Sequence, residues 1–346
     1  MGLLPRDDAY FIQRLCDLGR QLRGAAISAR RSLNSLGNQP LSQVARETAA
    51  DTIYELDTHT EPVLEEFCQQ WGRELPLVLI AEGIVDEHGT EGVKCFPQGT
   101  QPADAAFRLI VDPIDGTRGL MYDKRSGWLL AGIAANNGPT TRLSDITAAV
   151  QVEIPTSKQH QSDVLWAARG RGASAQREDL STGHTTPLTL RPSGAADLAH
   201  GFGSVVSFFP GTKVPAAELM EAISLHCGGG IDPGRPLVFD DQYISTGGQL
   251  YEVMIGHDRF VADVRPYLYR ITHQPAGLCA HAYDLCAMLI AQEAGVVVSN
   301  ALGQPVDGVL DVITPVAWAA YANKHLRDRI EPVMAKFFAD HGVSPD

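Results

Sequence analysis

The 346-residue chain contains no apolar run of the roughly eighteen residues that a membrane-spanning helix requires. Its first stretch, MGLLPRDDAYFIQRLCDLG, has no apolar block preceded by basic residues, so neither a span nor a secretory leader is expected, and the reading is a cytoplasmic protein. CxxC pairs are absent too. The six cysteines, at 16, 68, 95, 227, 279 and 286, form no compact framework, which favours reduced, buried thiols over disulfides or zinc. Basic residues are in deficit: 28 Lys and Arg face 41 Asp and Glu, for a formal charge of -13. Such a chain repels the phosphates of a nucleic acid polymer or an acidic membrane, so any anionic substrate must be held locally, by cations or backbone amides. Low-complexity tracts, fixed-period repeats and Ser/Gly/Pro-rich linkers are missing as well. With 44% hydrophobic and 20% charged residues, the composition is that of a folded globular protein.

What is present has two textures. Phe11, Leu15, Leu18, Leu22 and Ile27 recur near helical period and predict a long first helix over Asp7–Leu33. After GNQP comes a second polar-apolar segment, and then DTHTEPVLEEFCQQW predicts another helix, entered directly from Asp57, with Thr58 or Thr60 as cap and Pro62 in its first turn. The short runs PLVLIAE, FRLIVDP, GWLLAGIAA, ITAAVQVEI, DVLWAARG and PLTLRP then follow one another without helices, which predicts a mostly antiparallel sheet. Beyond about Ala196 strand and helix alternate: GSVVSFF, AAELMEAISLHC, GGQLYEVMIG, RFVADVRP, AYDLCAMLIAQEAG, VVVSNALG, VAWAAYAN and a terminal helix near Lys324–Asp340. The class is therefore α/β (α+β), with two lobes, 1–195 and 196–346, and a smaller mixed sheet in the second.

Chemistry concentrates in VDPIDGTRGL. Asp112 ends an apolar strand, Pro113 fixes the backbone, and Asp115 completes a tight turn. Two carboxylates on one rigid turn suit a pair of hard cations such as magnesium, and the Ile114 carbonyl adds a neutral oxygen. Gly116 and Thr117 follow at a helix start, where backbone N–H groups favour a bound phosphate. Asp-Pro and Asp-Gly also make ordinary turns. Glu82 closes the run LVLIAE and Asp284 opens the predicted helix DLCAMLIAQEAG, positions that attract carboxylates for capping or solvation as well.

DPIDGT (112–117) together with AYDLCAMLIAQEAGVVV (282–298) resembles the two signature segments of the inositol monophosphatase superfamily, the magnesium-dependent, lithium-sensitive phosphatases that also include fructose bisphosphatases and nucleotide bisphosphate phosphatases. DTIYELD is similar to the family's Asp-x-x-Thr-x-x-Asp, IAEG to its Gly-Glu-Glu, ARGRGA to its Gly-containing turn and STGGQLYEVMIG to its substrate-lining segment, so the resemblance spans about Asp7 to Phe338. It implies a layered α-β-α-β-α sandwich, a homodimer or tetramer, and a phosphomonoesterase acting on a small phosphate ester. It further implies that Glu82, Asp112 and the Ile114 carbonyl hold a first magnesium, that Asp112, Asp115 and Asp284 hold a second, and that a third rests on Glu82 and waters. Asp57 would hydrogen-bond Thr117, Thr117 and Glu82 would orient the attacking water, and the Gly116 and Thr117 amides would hold the phosphate.

Departures concern substrate. Tyr54, Ala81, Gly83, Tyr283 and Cys286 replace the usual residues, and Gly277 stands where inositol-specific members carry an acid that touches the sugar hydroxyls. Arg118, Lys124 and Arg125, with Asp123 among them, follow the signature closely. They form either a solvated loop or a site for a second anionic group, as in a bisphosphate such as fructose 1,6-bisphosphate or a nucleotide 3',5'-bisphosphate. A metal-free carboxylate-pair glycosidase and a non-catalytic metal- or phosphate-binding descendant are the rival readings. His59, His257 and His281 show no metal-ligand spacing and are read as surface or capping residues. Asp240 and Asp241 are read as a loop pair, and Gly247 and Gly248 either admit a ligand to the backbone or relieve crowding at a helix start.

Overall fold

The computed structural model describes residues 4–34, 44–47, 52–86, 89–228 and 237–343. Asp51, the first acid of DTIYELD, and most of the segment after GNQP lie outside them. The first helix, α1 (Asp8–Asn34), buries Phe11, Leu15, Leu18 and Leu22 completely, as their helical spacing requires. A small hairpin of β1 (Val44–Glu47) and β2 (Thr52–Tyr54) leads into α2 (Glu55–Thr58) and α3 (Glu61–Glu74). Asp57 thus sits inside its own short helix, and Thr60 precedes α3 without a side-chain cap, because its hydroxyl donates to the Asp57 carbonyl.

An eight-stranded sheet follows: β3 (Leu77–Val85), β4 (Glu91–Phe96), β5 (Phe107–Asp115), β6 (Gly127–Ala135), β7 (Ile146–Ile154), β8 (Gln161–Ala168), β9 (Ala173–Asp179) and β10 (Thr185–Leu188), with α4 (Thr117–Met121) between β5 and β6. Its order is β10-β9-β8-β7-β6-β5-β3-β4, and every neighbouring pair is antiparallel except β3 and β5. That parallel pair brings both strands' carboxyl ends to one edge. Ala81 pairs with Val111, which places Glu82 beside Asp112. The β5–β6 register breaks between Asp112 and Asp115, around Pro113, which has no N–H to give the ladder.

The rest of the chain comprises β11 (Gly201–Val205), α5 (Lys213–Cys227), β12 (Val238–Phe239), α6 (Thr246–Met254), β13 (Asp258–Asp263), α7 (Arg265–Ile271), α8 (Met288–Glu293), β14 (Val297–Ser299), β15 (Trp318–Tyr321) and α9 (Lys324–Asp340). The five strands form a mixed sheet, β12-β11-β13-β15-β14, parallel at β11 and antiparallel at β15. α1 and α3 cover one face of the large sheet, and α6 and α8 lie between the two sheets. α5 and α9 pack together on the far side of the small one. The molecule is therefore the expected α-β-α-β-α sandwich. Among the described residues no helix is long and apolar enough to cross a membrane, and all six cysteines are free thiols.

A candidate metal and phosphate site

The carboxyl end of β5 aims two acids into a cleft whose other walls come from α2, β3, α4 and the segments before α6 and α8. The cleft encloses about 840 Å³ of empty space, counting the part open to solvent, and its lining includes Asp57, Glu82, Asp112, Asp115, Thr117 and Asp284. Carboxylate oxygens of Asp112, Asp115 and Asp284 lie within 4.8 Å of one another. Asp112 and Asp115 are only 6% and 5% exposed.

Three clustered acids of this kind repel. Burial, and then the charges of Asp115, Asp284, Glu82 and Asp57, hold the Asp112 carboxyl well above the usual carboxylate range. Asp115 is pushed up to about 7 by burial and by Asp284, against the pull of three donors. Those donors sit at the start of α6: Ser245 Oγ and the Gly247 amide reach Asp115 Oδ2 at 2.7 and 2.6 Å, and the Thr246 amide reaches Oδ1 at 3.2 Å. A side chain on Gly247 would place Cβ 2.5 Å from Leu130 Cδ2 and 3.0 Å from Asp115 Oδ2. The glycine thus admits one of the protein's own carboxylates to the helix start, rather than a ligand. Asp284 Oδ2 accepts the His281 amide at 2.7 Å. An all-oxygen, multiply anionic donor set, with Asp112 and Asp115 buried and all three acids close together, fits a hard divalent cation such as magnesium.

Beside the acids, Thr117 Oγ1 stands 2.8 Å from Asp57 Oδ1 and 2.7 Å from the Ile114 carbonyl. Its single proton serves one acceptor at a time, and the carboxylate is the stronger. Asp57 is fixed in turn by the Tyr54 amide, 2.8 Å from Oδ2. Gly116 makes the turn into α4 with φ of 85°, and a Cβ there would lie 2.9 Å from that of Ser245, so only glycine fits both the turn and the close approach.

Sequence reading and structure part company at several residues. Asp284 does not open a helix; it lies in a run of turns four residues before α8. His281 is buried at 4% exposure, stacked on Tyr283 with Nδ1 3.7 Å from Asp284 Oδ2, so it is no surface residue. Of the cations after the signature only Arg118 lines the cleft. Lys124 and Arg125 line a separate cavity with Glu153 and Tyr251, and Arg125 pairs with Asp241. Asp123 accepts hydrogen bonds from the amide and hydroxyl of Ser157. Gly277 is exposed, and its neighbours Leu278 and Cys279 line the cleft instead.

The residues that sequence reading missed are Phe208, Phe209 and Arg265, which reach the cleft beside Ser245 and Thr246 of the STGGQLYEVMIG segment. Arg265, 5% exposed, forms a two-pronged pair with Asp263 at 2.8 and 2.5 Å and donates to the Leu278 carbonyl at 2.9 Å. The STGG segment carried its signal through its place in the family pattern, and Phe208, Phe209 and Arg265 lie outside it.

The architecture matches solved structures over nearly its whole length. Extragenic suppressor protein suhB from Bartonella henselae superposes with a TM-score of 0.60, covering 94% of this chain and 99% of that one at 15% identity. Inositol monophosphatase from Anabaena (Nostoc) sp. PCC 7120 gives 0.57, covering 95% and 96% at 15% identity. A gene product described as inositol monophosphatase-fructose 1,6 bisphosphatase gives 0.61, covering 93% and 98% at 14% identity. This is the inositol monophosphatase fold. No protein-family model matches the sequence, and no curated protein matches it. The inositol monophosphatase fold accounts for the layer order and both sheets of this chain.

Proposed function

We propose that this protein is a magnesium-dependent phosphomonoesterase that hydrolyses a small soluble phosphate ester. The observation that carries this reading is the convergence of Asp112, Asp115 and Asp284 within 4.8 Å, two of them buried, next to the Asp57–Thr117 pair. Glu82, Asp112 and the Ile114 carbonyl would hold one cation, and Asp112, Asp115 and Asp284 a second; a third, weaker ion would rest on Glu82. Bound magnesium would neutralise phosphoryl oxygens and make a coordinated water more acidic. Lithium would compete for one of these positions.

The chain's own residues supply alignment and proton transfer. With its proton directed to Asp57, Thr117 Oγ1 keeps lone pairs that can accept from a water, which Glu82 would orient from the adjacent carboxyl end of β3. The water oxygen would bond to phosphorus as Glu82 takes one of its protons, the ester P–O bond would break, and the departing alkoxide would take up that proton, giving the alcohol and inorganic phosphate. Amides of Gly116 and Thr117 would hold the phosphate. A cytoplasmic homodimer, with the site between lobes 1–195 and 196–346 and no nucleic acid or membrane partner, completes the proposal.

Phosphate release from inositol, sugar and nucleotide phosphates, with magnesium or with chelator, tests it. Release that requires magnesium and disappears in Asp112→Asn is the expected result; release that persists in chelator would point to metal-free chemistry. A second reading, a bisphosphate phosphatase, is favoured by Arg118 in the cleft wall. Under it, Arg118→Ala raises KM for a bisphosphate more than for a monophosphate.

A further inference from the structure

Beyond the carboxylates, the cleft wall is aromatic and cationic. The Arg118 guanidinium carbon lies 5.4 Å from the Tyr54 ring centre and 5.8 Å from that of Phe209. The Arg265 guanidinium carbon lies 5.5 Å from both Phe209 and Phe208. Phe208 and Phe209 meet edge to face, with centres 6.0 Å apart and planes at 87°. Tyr54, Arg118, Phe209, Arg265 and Phe208 thus form one continuous ladder, and Ile244, 37% exposed, extends the apolar surface at the rim.

Several polar groups on this wall are committed to the protein. The Ser245 hydroxyl donates to Asp115, the Thr60 hydroxyl to the Asp57 carbonyl, and Arg265 to Asp263 and Leu278. A polyol leaving group would find these groups already engaged, and each of its hydroxyls left unsatisfied would cost affinity. A flat ring needs none, and gains from aromatic and guanidinium faces.

Building on the phosphatase reading, we infer that the substrate is a phosphate monoester whose alcohol carries a planar aromatic ring, as a nucleoside does, and that Phe208 and Phe209 select for it.

The test is steady-state kinetics of the full chain with magnesium on four alkyl phosphates of similar leaving-group basicity: benzyl phosphate, adenosine 5'-monophosphate, glycerol 2-phosphate and inositol 1-phosphate. The wild type should favour the ring-bearing pair in kcat/KM. Phe209→Ala and Phe208→Ala should shrink that preference by about tenfold, through KM rather than kcat, in line with the worth of one ring stack. Phe209→Leu, which keeps apolar bulk for folding, should lose the preference as well, and Phe209→Tyr should retain it. Preference for the polyol esters, or variants that affect both classes alike, would overturn the ring subsite while leaving the phosphatase reading intact. If magnesium-dependent release is absent for all four, the phosphatase reading fails and calorimetric titration of adenosine 5'-monophosphate decides the subsite. Binding that weakens in both Phe→Leu variants supports it; no binding, or binding indifferent to them, removes it.

Discussion

Asp112 is the residue at which stability and function pull in opposite directions. Its charge is opposed by burial and by four neighbouring acids, so without a cation the folded state carries an electrostatic penalty there. Asp112→Asn should therefore melt at a higher temperature than the parent protein in chelator, yet show no further rise when magnesium is added, whereas the parent should gain stability with magnesium. Calorimetric melting with and without the metal measures both, and a variant that melts lower in chelator would contradict the repulsion described here. Thr117 makes a complementary case. Thr117→Val removes the hydroxyl that bridges Asp57 and Ile114 and should lower kcat by about a hundredfold, the scale of a positioned proton relay. Thr117→Ser should keep most of the rate.

Among the elements, the start of α6 matters most to the site, because it supplies three donors to Asp115. Removing one of them in Ser245→Ala should weaken magnesium binding by about 10- to 100-fold, as loss of a group supporting a metal ligand does; calorimetric titration reads it directly, and unchanged affinity would show that the amides suffice. This support was hidden from sequence reading because Ser245 and Asp115 meet only through tertiary packing. The motif DPIDGT, by contrast, was legible: the uniform apolar run before it, its proline and its glycine encode strand, turn and helix locally. β4 and β9 were missed because EGVKCF and ASAQRED mix polar and apolar residues without the uniform apolar run that marked their buried neighbours. The AYDLCAMLIAQEAG helix was overextended since that stretch is buried almost throughout, leaving no polar face whose period could mark where the helix begins. Phe208 and Phe209 were read into a strand that ends at Val205, so their place in the cleft stayed unseen.

On the scale of the molecule, pH acts through groups outside the cleft as well. Asp258 is pushed up to about 7 by burial and by its acidic neighbours Glu252 and Asp241. A carboxyl raised in the folded state favours folding when protonated, so its contribution is complete below the unfolded value near 4 and is lost as pH rises toward 7. Denaturant titrations between pH 4 and 8 should show this decline, and Asp258→Asn should flatten it; an identical profile in the variant would exclude Asp258 as the source. The acids of the cleft have a further consequence for how the chain assembles. They are drawn from α2, β3, β5 and the turns before α8, so no fragment that stops short of Asp284 presents the full set. During refolding, tight magnesium uptake should accordingly lag behind the recovery of secondary structure, and the ion becomes a clasp that closes only once the two ends of the chain have found each other.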